Sequence, residues 1–137
     1  MKTIDMRFIR YLNLFEKITQ VRTKYCFFYN NEVIFVVPEP FLSKAIGGDG
    51  RNVKKLVEIL GKKIKIVAIP RGDEDARDFV TAIVYPVKLR SVDLTPTELI
   101  INAGRESKAM LIGRNKTRLG EMQEIVKEYF HRAVKIV

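Results

Sequence analysis

Phe8, Leu12, Phe15 and Ile18 recur at helical spacing, with Tyr11 alongside, and predict a helix over residues 4–19. Residues 24–29 follow, rich in aromatics. Asn30-Asn31 separates them from the apolar run 33–37, and two β-prone runs about an Asn-Asn pair predict a hairpin. Pro38 and Pro40 close the strand and lead into a short helix over 41–46. A glycine-rich turn comes next. A second helix over 51–60 then carries Val53, Leu56, Val57 and Leu60 on one face and Lys54, Lys55 and Glu58 on the other. Gly61 is placed to stop it, and residues 63–69 form a third strand. The predicted order is α-β-β-α-α-β.

Pro70-Arg71-Gly72 interrupts the chain, and the same order returns. Ala76, Phe79, Val80, Ile83 and Val84 mark a helix, with Asp73 as its expected cap. Val87 and Leu89 alternate with Lys88 and Arg90 and predict a strand. Thr95-Pro96-Thr97 turns into a strand over 98–102, and a short helix over 105–112 leads to a second turn. A helix bearing Leu119, Met122, Val126, Tyr129 and Phe130 follows, and residues 134–137 close the unit.

The copies align by position as well as by order. Ile46 matches Ile112, and Glu32-Val33-Ile34 matches Glu98-Leu99-Ile100, both at a displacement of 66 (112 less 46). At the last strand Lys65-Ile66-Val67 matches Lys135-Ile136-Val137, a displacement of 70 (135 less 65). The second copy thus gains about one helical turn after its glycine, an insertion that a helix absorbs without rotating its buried face. These matches point to a duplication. The chain is expected to form two domains, 1–70 and 71–137, each small enough to need support from its neighbour.

Charge adds a partner class. The 137 residues hold 25 Lys+Arg against 16 Asp+Glu, a net charge of +9, which favours a polyanion. The cations gather at the turns. Lys44, Arg51, Lys54, Lys55, Lys62, Lys63 and Lys65 surround the first, and Arg105, Lys108, Arg114, Lys116 and Arg118 surround the second. No apolar run is long enough to span a membrane, and the N-terminus does not read as a signal peptide. A cytoplasmic protein is expected. One cysteine excludes an internal disulfide, and a lone His131 excludes a zinc set or a Ser-His-Asp arrangement. No catalytic residue, metal or cofactor is expected. Asp73-Glu74-Asp75 with Asp78 reads as acids at a helix start rather than a metal cluster. Cys26 reads as core. Tyr25, Phe27, Phe28 and Tyr29 could stack bases, but at least two of the four are expected inside.

The motif Ile46-Gly47-Gly48-Asp49-Gly50-Arg51-Asn52-Val53 carries the chemistry. Glycines permit positive φ and close backbone approach. A helix that begins at the turn offers free N–H groups and a dipole to an anion. On this reading the N–H groups of residues 48–51 face a phosphate, with Arg51, Lys44 and Lys54 placed to contact others. The second copy, Ile112-Gly113-Arg114-Asn115-Lys116-Thr117, has Lys116 where the first has Gly50. That lysine could attract phosphate or crowd the backbone's approach to it.

A helix–Gly-x-x-Gly–helix unit within α-β-β-α-α-β resembles the KH domain in its type II arrangement. Tandem units of this kind resemble the archaeal NusA-like factors of transcription termination and antitermination. The resemblance implies an α+β fold, with a three-stranded sheet packed on helices in each copy. It implies single-stranded RNA as ligand, about four nucleotides per turn, and RNA polymerase as a candidate partner of a monomeric protein. The site residues it implies are Lys44, Ile46, Gly47, Gly48, Asp49, Gly50, Arg51, Lys54 and Lys65 in the first copy. In the second they are Gly113, Arg114, Asn115, Lys116 and Arg118. Three alternatives stand beside it: an RNA-binding factor of ribosome assembly or translation, an enzyme that holds a nucleotide on its turns, and a protein-interaction scaffold whose charge is incidental.

Overall fold

The computed structural model describes residues 6–137. The predicted first two residues of the opening helix, 4 and 5, lie outside them. The chain divides into two compact units between Ile69 and Pro70.

In the first unit, α1 (Met6–Thr19) leads to the hairpin β1 (Tyr25–Tyr29) and β2 (Glu32–Val37). Asn30 and Asn31 both take positive φ, 53° and 61°, as a two-residue hairpin turn requires. A 3-10 turn (Glu39–Phe41) and α2 (Leu42–Ile46) precede the glycine turn, and α3 (Arg51–Leu60) and β3 (Ile64–Ala68) complete the unit. Gly61 sits at φ 65° and donates its N–H to Val57 O, ending α3. The sheet order is β1-β2-β3, antiparallel then parallel. Its helix-facing side supplies Cys26, Val33, Phe35, Val37 and Ile64 to a core shared with Phe15 of α1, Ala45 of α2 and Leu56 of α3. Phe15 and Phe35 stack with centroids 4.4 Å apart. Each such buried side chain contributes about 2–3 kcal/mol. Of the four aromatics on β1, Phe27 and Tyr29 are buried.

The second unit repeats the order with α4 (Ala76–Val84), β4 (Ser91–Leu94), β5 (Glu98–Asn102), α5 (Gly104–Ile112), α6 (Thr117–Phe130) and β6 (Ala133–Ile136). Its sheet runs β4-β5-β6 with the same parallel and antiparallel sense. Ile34 pairs with Lys65, and Ile100 with Lys135, so the longer displacement at the last strand is a structural correspondence. The extra residues lie in the helix: α3 has 10 residues and α6 has 14.

Two local expectations change. Residues 87–90 are not a strand; β4 begins at Ser91, opposite Asn102, where β5 ends. Arg90 N–H reaches Asn102 O at 2.7 Å, and beyond that rung the neighbouring strand offers no partner. Asp73 is not a helix cap either. Residues Asp73–Asp75 form a 3-10 turn before α4, and neither start carries a side-chain cap bond. Among the described residues, no helix is long and apolar enough to cross a membrane.

Candidate nucleic-acid interface

The first turn begins where α2 ends. Gly47 N–H donates to Ser43 O at 2.9 Å, and Gly47 adopts φ 81°, ψ 163°, a region essentially closed to other residues. A tight 3-10 turn over Gly48–Gly50 follows, closed by Gly50 N–H to Gly47 O at 3.1 Å. Asp49 (φ 56°, ψ 28°) and Gly50 (φ 69°, ψ 23°) are left-handed, and α3 starts at the next residue.

The second turn has the same construction. Gly113 N–H donates to Ala109 O at 3.0 Å, and Lys116 N–H to Gly113 O at 3.2 Å. Gly113 lies at φ 74°, ψ 171°, Asn115 at φ 57°, ψ 27° and Lys116 at φ 60°, ψ 25°. Lys116 therefore takes the backbone form of Gly50. A Cβ added at Gly50 meets nothing within 4 Å, so a side chain at this position meets no neighbour and its cost is that of the left-handed backbone.

Neither α3 nor α6 has a side-chain cap or an acidic residue in its first turn. Helix starts normally acquire one or both. Here Lys44, Gly48, Asp49, Arg51 and Lys54 are exposed around one start, and Arg114, Asn115 and Lys116 around the other. The N–H groups of Gly50 and Arg51 are engaged by Gly47 O and Gly48 O. The N–H groups of Gly48 and Asp49, as the first of the helical run, have no acceptor inside it.

Not every expected residue gathers at the turns. Ile46 is half-buried at the end of α2. Ile64 and Ile66 belong to the core beneath the helices. Lys65 between them therefore faces the other side of the sheet. Its Nζ lies 3.5 Å from Glu32 Oε2, with both side chains largely covered. Burial lowers the Lys65 pKa, and Glu32 opposes that shift. Arg118 is half-buried and donates Nη1–H to Met110 O at 2.9 Å.

Asp73 and Asp75 are held by arginines. Arg132 donates to both oxygens of Asp73, at 2.8 and 3.0 Å, and to Thr95 O at 2.7 Å. Arg71 grips Asp75 at 2.9 and 3.0 Å and holds its carboxyl down at about 2. Among the described residues, no three His, Cys, Asp or Glu side chains are grouped to hold a metal ion. Arg132 acts across 59 residues and has no local signal in the sequence. Asn52 was also missed, although its signal was present: it occupies the same place in its copy as Arg118 does in the other.

Comparisons give this geometry a context. No family model matches the chain. It is 36% identical over 81 residues to the "Probable transcription termination protein NusA" of Methanocaldococcus jannaschii, a match covering 59% of this chain and 43% of that protein. The protein of that name from Methanococcus vannielii is 33% identical over 81 residues, covering 59% and 45%. These matches span less than half the length of either relative. The Halococcus morrhuae protein of the same name matches over 131 residues at 24% identity, covering 93% of this chain and 92% of its own. The crystal structure of APE1850 superposes with a TM-score of 0.66 at 28% identity, covering 98% of this chain and all of that one.

Proposed function

We propose that the chain is a pair of type II KH units that binds single-stranded RNA through its two glycine turns and acts on nascent transcripts in termination or antitermination. One observation carries this reading. The same turn geometry occurs twice, each time opening a helix that has neither a cap nor an acid and is surrounded by cations. Such a helix start favours a phosphate. On this reading the N–H groups of Gly48 and Asp49, with Arg114 and Asn115 at the matching positions, face the RNA backbone. Lys44, Arg51, Lys54 and Lys116 add charge, and the bases lie over the helices and the edge strand. The archaeal relatives named for transcription termination support the setting. No step of this requires catalysis or a cofactor.

The test has two parts. Affinity for a labelled single-stranded RNA is measured against salt. The log–log slope should be about −0.7 per phosphate neutralised, amounting to several phosphates in all. A flat response would overturn RNA binding. Co-purification with RNA polymerase supports the transcriptional setting, whereas co-purification with ribosomal subunits would move the protein to translation.

A further inference from the structure

One side-chain contact recurs in both units. Asn52 Nδ2 donates to Lys44 O at 3.2 Å, and Arg118 Nη1 donates to Met110 O at 2.9 Å. Both span eight residues, from the first turn of the helix after the glycine back to the end of the helix before it. The acceptors correspond as well. In each unit the preceding carbonyl, Ser43 O or Ala109 O, takes the N–H of the turn glycine. The next carbonyl stands in the last turn of its helix, where the chain offers no backbone donor, and the side chain supplies one.

The same side chain lies over the glycine. A Cβ on Gly47 would stand 3.1 Å from Asn52 Cγ and Nδ2, and one on Gly113 would stand 3.0 Å from Arg118 Cγ. The turn is thus fastened at both ends by one residue seated on its first glycine. The fastening also differs with the load. In the first turn one left-handed position is glycine, whereas in the second both are side-chain bearing, Asn115 and Lys116. The second turn has the shorter bond, from a charged donor, and charge-assisted bonds are the stronger kind.

We propose that Asn52 and Arg118 are the positioning residues of the two turns. Each holds its turn in the form that faces phosphate, and Arg118 does so from beneath rather than by touching RNA. The proposal rests on the RNA-binding reading above only for its affinity readout. Three variants of the intact chain test it. Arg118→Met keeps the length and removes the donors. Arg118→Asn installs the fastening of the first unit. Asn52→Asp removes the donor there and sets a carboxylate against a carbonyl.

Amide exchange at residues 113–117 should quicken in Arg118→Met and return towards the wild-type rate in Arg118→Asn. RNA affinity should fall about tenfold in Arg118→Met, the worth of one charge-assisted hydrogen bond. It should recover in Arg118→Asn with the salt slope unchanged. Asn52→Asp should quicken exchange at residues 47–51 alone. If Arg118→Asn binds as weakly as Arg118→Met and loses slope, Arg118 contacts phosphate directly and the proposal fails. Unchanged exchange in both Arg118→Met and Asn52→Asp would also overturn it. If the wild-type chain binds no RNA, the proposed function falls, while the exchange pattern still decides the positioning role.

Discussion

Replacing Lys116 by glycine should make the second unit more stable and bind RNA less tightly. Lys116 sits at φ 60°, ψ 25°, within 9° of the angles at Gly50 (φ 69°, ψ 23°). A left-handed conformation costs an L-residue about 1–2 kcal/mol. Glycine escapes that cost but gives back part of the gain through its freer unfolded chain, about 0.5–1 kcal/mol. The net expectation is a gain of about 1 kcal/mol. The reciprocal change, Gly50→Lys, should cost about the same. Nothing stands within 4 Å of a Cβ at that site, so the backbone conformation is the whole of the effect.

Binding should move the other way. Lys116 is exposed at the turn, and losing one phosphate contact should make the log–log salt slope shallower by about 0.7. Gly50→Lys should make it steeper by about the same amount. The assays are urea denaturation followed by circular dichroism, since the chain has no tryptophan, and RNA titration at several salt concentrations. Two results would refute the reasoning. A loss of stability in Lys116→Gly would mean that the lysine side chain contributes more than its backbone costs. An unchanged slope would mean that its charge never meets a phosphate.

Gly47→Ala and Gly113→Ala should each cost about 2–3 kcal/mol in denaturant titrations, because both positions combine a glycine-only conformation with a side chain already in the way. Gly48→Ala, whose Cβ meets nothing, should be near neutral and serves as the control. Lys65→Ala should leave the RNA salt slope unchanged, since its charge is matched by Glu32 on the far side of the sheet. Hydrogen bonds from arginine hold the Asp73 and Asp75 carboxyls below the ordinary value of 3.8, Asp75 at about 2. Their contribution to stability is therefore present above pH 3.8 and is lost as pH falls through about 2. Asp75→Asn should lower stability at neutral pH, where that contribution is full, and flatten acid unfolding within that window.

What could be read from the sequence was local. The Asn30-Asn31 hairpin turn, the Gly61 stop and the two glycine turns each depend on a backbone form that a residue type announces in place. The four additional residues of α6 were legible because duplication supplied a reference copy. The misreadings share a cause: each needed a partner distant in the chain. Val87 to Arg90 alternate as a strand does, but a strand also needs a neighbour, and β5 ends at Asn102. Asp73 has the composition of a cap, yet an arginine 59 residues later claims its carboxylate. Lys65 belongs to the basic cluster in sequence, while the two-residue period of β3 turns it away from the helices. The correspondence of Asn52 with Arg118, which the sequence marks only as a residue of the second turn, was obscured for another reason. The two differ in type, and only the shared acceptor position reveals that they do one job.

The second turn was the doubtful one in sequence because its last glycine is gone. The backbone keeps the same form nonetheless: with Lys116 left-handed, the second turn repeats the dihedral pattern of the first. What separates them is charge. Residues 48–51 set Asp49 beside Arg51, whereas residues 114–117 carry exposed Arg114 and Lys116 with no acid. A turn whose own residues balance in charge relies more on its free N–H groups, and these act at short range on one phosphate. A turn with two exposed cations and no acid acts over about a Debye length, 8 Å at physiological salt, and weakens as salt rises. If both bind RNA, the first turn should fix where the backbone sits and the second should supply most of the salt-dependent attraction. In that division the lost glycine is a change in how the phosphate is attracted, made at a position where the fold could carry a side chain outward.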